Sequence, residues 1–149
     1  MELTGERRLP VDRAAAWLAL NDPRVLSACI PGCEALERAA EGEYTIILLA
    51  VLGPVRARFR GRLHLEDVVA PLSYTLRFQG EGGPAGLASG SAHVTLTQAA
   101  PGTLLEYRVS ARVAGRIAQV GSRLIDSAAL KMADHFFAAF EKQLGSDSN

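Results

Sequence analysis

Cysteine is scarce in this 149-residue chain: Cys29 and Cys33 are the only two, separated by Ile30-Pro31-Gly32. Two thiols this close cannot form the disulfide framework of a small secreted domain, and they are read as reduced. Net charge is also missing, since sixteen basic residues balance sixteen acidic ones. The global attraction expected of a nucleic-acid binder is therefore absent, and a charge-driven partner would need a local patch. No apolar run is long enough to span a bilayer, and Met1-Glu2-Leu3-Thr4-Gly5-Glu6 contains no basic region leading into an apolar core. A cytoplasmic protein is the expectation. No linker, repeat or low-complexity segment interrupts residues 1–144, which read as one domain followed by a polar tail at 145–149. At 48% hydrophobic and 21% charged residues, that domain can bury a sizeable core.

What is present is alternation. Val55, Ala57, Phe59, Gly61, Leu63 and Leu65 interleave with Arg56, Arg58, Arg60, Arg62, His64 and Glu66, the period of a strand with one dry and one wet face. Further strands are expected at 3–9, 33–38, 43–52, 72–80, 88–97 and 103–113, divided by turn signals such as Gly53-Pro54 and Pro101-Gly102. Two short helices are expected after the first strand, the second opened by Asp22 as N-cap and Pro23 at the first helical position. From about 117 to 144, Ile117, Val120, Leu124, Ala128, Met132, Phe136 and Phe140 recur at helical spacing on one stripe. This order predicts an α+β domain, a curved antiparallel sheet wrapped around a long terminal helix. A two-residue hairpin at Gly53-Pro54 would set Leu49 opposite Arg58 and Ile47 opposite Arg60, leaving Ile47, Leu49 and Val51 among arginines on the wet face.

The dry face mixes small residues (Ala50, Ala57, Gly61, Gly80, Ala92, Ala111) with Leu48, Phe59, Leu63, Tyr74, Leu76, Phe78, Val94 and Tyr107, opposite Leu124, Ala128 and Met132 of the helix. Small residues between a sheet and a helix either let the two close up to ordinary density or leave an apolar pocket. Residue size does not separate these readings.

Catalytic and metal chemistry find little support. His64, His93 and His135 lie on separate elements, without the three or four converging ligands of a zinc site. Cys29 and Cys33 read as small buried hydrophobes or, alternatively, a redox pair. Ser122 and Ser127 have no histidine at nucleophile-base spacing, and Asp126 and Asp134 are about 12 Å apart along a helix. Gly80-Glu81-Gly82-Gly83-Pro84-Ala85-Gly86 lacks a phosphate-loop lysine and reads as a gate. Tyr44, Tyr74 and Tyr107 are the polar groups left on the dry face.

Several separated motifs carry a family resemblance: Trp17-Leu18-Ala19-Leu20-Asn21-Asp22-Pro23, Cys29-Ile30-Pro31-Gly32-Cys33-Glu34, Gly53-Pro54-Val55, Gly80-Glu81-Gly82-Gly83, and Ile117-Ala118-Gln119-Val120-Gly121-Ser122-Arg123-Leu124-Ile125-Asp126. Together they resemble the carbon monoxide dehydrogenase G-subunit family of the START-like (SRPBCC) superfamily. The resemblance implies a helix-grip fold: a seven-stranded antiparallel sheet around a C-terminal helix, enclosing an apolar cavity. It further implies an accessory or membrane-recruitment role for a molybdenum-containing carbon monoxide dehydrogenase or related hydroxylase, with a lipid- or quinone-like ligand. Longer members carry a C-terminal extension, so no self-contained membrane anchor is expected here. The ligand would meet Leu48, Phe59, Leu63, Tyr74, Leu76, Phe78, Val94, Tyr107, Leu124, Ala128 and Met132. Ile47, Leu49, Arg56, Arg58, Arg60 and Arg62 would form either an ordinary solvated face or a surface for a partner or anionic lipid. Neither metal nor cofactor is expected, and the protein reads as a binder; a START-like cyclase or hydrolase using a cavity tyrosine, and a pocketless docking adaptor, are the alternatives.

Overall fold

The computed structural model describes residues 1–147. Strand β1 (Glu2–Leu9) leads into helices α1 (Arg13–Leu20) and α2 (Pro23–Cys29), followed by β2 (Cys33–Ala40), β3 (Glu43–Leu52), β4 (Val55–Val69), β5 (Ser73–Glu81), β6 (Leu87–Ala99), β7 (Gly102–Ala114) and helix α3 (Ser122–Asp147). All seven strands form one antiparallel sheet in the order β1-β7-β6-β5-β4-β3-β2. Consecutive hairpins account for most of that order. The exception is β1, which pairs with β7 and leaves α1 and α2 to cross to the far edge.

The β3–β4 hairpin has the expected register, with Leu52 opposite Val55, Leu49 opposite Arg58 and Thr45 opposite Arg62. Because side chains alternate faces, this places Tyr44, Leu48, Phe59 and Leu63 on the helix side and the four arginines on the outer side. The short helices form where the sequence supplies caps. Asp12 accepts from Ala15 N–H at 2.8 Å and Asp22 accepts from Arg24 N–H at 2.9 Å, satisfying donors that a first helical turn leaves unpaired. The same backbone bond holds the Asp22 carboxyl below the ordinary aspartate range. A lowered folded-state pKa contributes stability above the unfolded value, and that contribution fades as pH falls through the folded value. Asp22→Ala is therefore expected to cost about 1 kcal/mol at neutral pH and progressively less in acid. Urea midpoints of the two proteins measured from neutral to low pH should converge.

The long helix starts later than its apolar spacing suggests. Arg116–Val120 forms a tight 3-10 turn, and Gly121 follows at φ +96°, a left-handed conformation that breaks the helical path before Ser122. At the other end α3 continues to Asp147, taking in 145–147 of the expected polar tail; residues 148 and 149 lie outside the described residues. Helix α3 lies against β1 and α2. Phe140 is fully buried in the main core, with Leu9, Leu96, Leu105, Phe137 and Leu144. Arg7 of β1 closes the contact, its guanidinium 5.3 Å from the centre of the Phe137 ring and ion-paired with Asp134.

Candidate functional site

The buried interior is divided. The main cluster lies where the C-terminal half of α3, α1 and α2 meet β1 and β5–β7. A second, smaller cluster comprises Val55, Phe59, Ala85 and Ile117, with Ala50, Leu52, Ala57, Val113 and Val120 packed around it. Between them, on the face that register assigns to the helix side, Ile46, Leu48, Gly61, Leu63, Phe78 and Ala111 belong to neither cluster and are only half-buried. The first turns of α3 behave likewise: Leu124, Ile125, Ala128 and Ala129 are half-buried and join neither cluster. Met132 shares the stripe of Phe136 and Phe140, yet it is 40% exposed. Positions 128 and 129 are alanines, and the helix-side positions of the sheet include Gly61 and Ala111.

Two contacts frame this stretch. A β-carbon at Gly53 would come within 2.8 Å of Leu124 Cδ2, so the start of α3 rests on the β3–β4 turn. Gly32, at φ +77°, brings the α2–β2 turn against the backbone oxygen of Leu49, beside the Leu48 side chain. Any side chain there would collide with that oxygen, at 2.3 Å.

The expected ligand residues therefore divide into groups. Leu48, Leu63, Phe78, Leu124 and Ala128 lie in the half-buried stretch, with Met132 exposed on the stripe beside it. Phe59 is buried in the smaller cluster, its ring against Gly82. Tyr74, Val94 and Tyr107 are built into the main cluster, on which Leu76 packs. Tyr74 meets Trp17 edge-on at 5.5 Å, and Tyr107 stacks on Phe137 at 5.3 Å. Burial, with nearby Tyr44 adding to it, pushes the Tyr74 phenol well above its ordinary pKa, so it remains a neutral donor. Tyr44 is buried, and its hydroxyl oxygen accepts from Arg38 Nη2 at 3.3 Å. Sequence reasoning misses Arg38. It precedes an irregularity in the β2–β3 pairing that no alternation pattern announces, and it sits 5.6 Å over the Tyr44 ring.

Other candidate chemistry stays dispersed. Burial raises the Cys29 thiol pKa, and Cys33 Sγ contacts Ala35 O at 3.6 Å; both thiols are free. His93 Nδ1 is 3.0 Å from Thr75 Oγ1, and His64 Nδ1 is 3.5 Å from Glu43. Among the described residues no group of three or more His, Cys, Asp or Glu is placed to hold a metal ion, and no helix is long and apolar enough to cross a membrane. On the outer face Arg56, Arg58, Arg60 and Arg62 are all exposed, beside half-buried Ile47 and Leu49. Arg58 forms a two-pronged bond with Glu34 of β2, at 2.5 and 2.9 Å, which holds the Glu34 carboxyl below its ordinary pKa.

Known structures share this fold. A conserved protein from Geobacillus kaustophilus superposes with a TM-score of 0.92 at 30% identity, over 98% of this chain and 96% of the other. A protein from Thermus thermophilus matches at 0.75 and 16% identity over the whole of both chains. An aromatase/cyclase from Streptomyces, Zhui, matches at 0.69 and 10% identity, over 100% and 96% respectively. At the two lower identities the likeness concerns the fold, the helix grip of START-like proteins. Comparison with curated proteins gave no match. The model of the carbon monoxide dehydrogenase G-subunit (CoxG) family matches residues 5–145, nearly the whole described chain, and the protein belongs to that family.

Proposed function

We propose that the protein binds a lipophilic small molecule, lipid- or quinone-like, between the sheet and the first half of α3. It then serves as an accessory factor to a molybdenum-containing carbon monoxide dehydrogenase or related hydroxylase. The observation that carries this reading is the divided core. Apolar side chains such as Leu48, Leu63 and Phe78 face inward, yet they stay half-buried between two packed clusters. Covering them with an apolar ligand would gain about 25 cal/mol for each Å² removed from water. The Tyr44 hydroxyl, which accepts from Arg38, offers a polar end to an otherwise greasy guest. The role proposed is sequestration and delivery. Delivery would use the outer face, where Ile47, Leu49 and the arginines Arg56, Arg58, Arg60 and Arg62 could meet the enzyme or the anionic inner surface of the membrane. Native mass spectrometry of freshly purified protein, followed by solvent extraction, is expected to reveal a bound lipophile that leaves on extraction. Protein that is empty when purified, and stays empty when offered quinones and phospholipids, would refute the carrier reading.

A further inference from the structure

The outer face of the sheet carries a feature that the binding of a lipophile does not use. Register aligns Thr45, Arg62, Gln79, Ser89 and Arg112 in a single line across β3, β4, β5, β6 and β7. The neighbouring line runs through Glu43, His64, Arg77, Ser91, Ser110 and Glu2, so it carries a carboxylate at each end. β6 presents serines here, while β4, β5 and β7 contribute Arg62, Arg77 and Arg112 around a depression of about 740 Å³, whose lining also includes Glu43 and the backbone stretch of Tyr44, Leu63, Phe78, Gly90 and Ala111. A second depression of about 580 Å³ adjoins it, sharing Thr45, Arg62 and Gln79.

The charges around this depression are unequally matched. Arg77 is paired with Glu66 at 2.6 Å, and Ser110 donates to Glu2 at 2.9 Å. Arg62 and Arg112 have no acidic or other polar partner among the described residues. Their line holds no carboxylate at all, only amide and hydroxyl groups between two guanidinium groups. Strands lie about 4.8 Å apart, so the two arginine backbones stand about 14 Å from each other, and long side chains can lean in over Gln79 and Ser89 from both ends.

We infer that this depression is a second binding site, on the opposite face of the sheet from the lipophile, and that it takes a phosphate-bearing ligand. Planar guanidinium groups bind phosphate oxygens in pairs, and the hydroxyl and amide donors of Thr45, Ser89 and Gln79 supply neutral contacts to the remaining oxygens. A carboxylate has two acceptor oxygens to offer this donor set, whereas a phosphate monoester has three.

The test titrates the full-length protein with inorganic pyrophosphate in a calorimeter. In parallel, it is floated with phosphatidylcholine vesicles made with and without phosphatidic acid. Arg62→Gln combined with Arg112→Gln should weaken binding about tenfold or more, whereas Arg108→Gln, on the same face but outside the depression, should change it by less than about twofold. Circular dichroism confirms that each variant is folded. Saturable pyrophosphate binding with this pattern supports the site and identifies a soluble phosphate compound as its ligand; capture only by phosphatidic acid vesicles, with the same pattern, supports it and identifies a lipid headgroup. No binding to either probe, or equal loss in Arg108→Gln, overturns it.

Discussion

Ala128→Phe is expected to empty the protein of its lipophile without unfolding it. Position 128 faces the sheet from the first half of α3, between Leu124 and Met132, where both helix and sheet residues are half-buried. A phenyl ring placed there would occupy the space assigned to the ligand. Its own burial is worth about 1.5–3 kcal/mol if complete, against about 0.5 kcal/mol lost in helix propensity relative to alanine. Thermal stability of the ligand-free protein should therefore hold or rise, while retained lipophile falls about tenfold or more, as expected when a guest competes with a covalently attached ring. The sign of the stability change is the useful readout. In a filled interior the same insertion would force neighbours off their rotamers and cost about 1–3 kcal/mol. Differential scanning calorimetry on extracted protein, with mass spectrometry on unextracted protein, separates the two cases, and a destabilised variant would mean that sheet and helix were already in contact.

The fold is legible in the sequence wherever a single strand or helix carries its own pattern. Alternation announces β4, β6 and β7, although β6 and β7 run three and two residues longer than the expected 88–97 and 103–113, and the β3–β4 register follows from the spacing around Gly53-Pro54. Asp22-Pro23 announces α2 because the cap and the proline act locally. Apolar spacing misplaces the start of α3 for a physical reason: Ile117 and Val120 continue the stripe, but they pack in the smaller cluster from a 3-10 turn, and Gly121 then redirects the chain. Spacing detects which residues are apolar on one side, and a tight turn can satisfy that as well as a helix.

The candidate site is less legible, because its decisive quantity is a distance between elements. Ala128 and Gly61 have the same composition whether the helix touches the sheet or stands off it. Alternation assigns Tyr74, Val94 and Tyr107 to the same dry face as Leu63 and Phe78, and register does place them together. What divides them is α1, which brings Trp17 onto Tyr74, and the C-terminal half of α3, which brings Phe137 onto Tyr107. The depression on the outer face depends even more on assembly, since Arg62 and Arg112 become parts of one line only after successive strand registers are set.

The same helical stripe supplies the largest expected loss of stability. Phe140→Ala should lower unfolding free energy by about 3–5 kcal/mol, the usual cost of removing a buried aromatic ring and leaving its cavity. Phe140 is 0% exposed and lies 5.6 Å from the Phe136 ring, nearly parallel at 12°, so no solvent can refill the space. Against a total of about 5–15 kcal/mol for a domain, such a loss would be a large part of what keeps the chain folded. Met132 lies two turns earlier on that stripe and is chemically as apolar, but it is already partly in water. Met132→Ala should therefore cost about 1 kcal/mol or less, well below the 2–5 kcal/mol typical of a buried methionine. Urea unfolding of both variants tests the division of the core directly, with midpoints compared at unchanged slope. Equal losses at the two positions would show that the helix grips the sheet evenly along its length, and the space proposed for the ligand would then have to be filled.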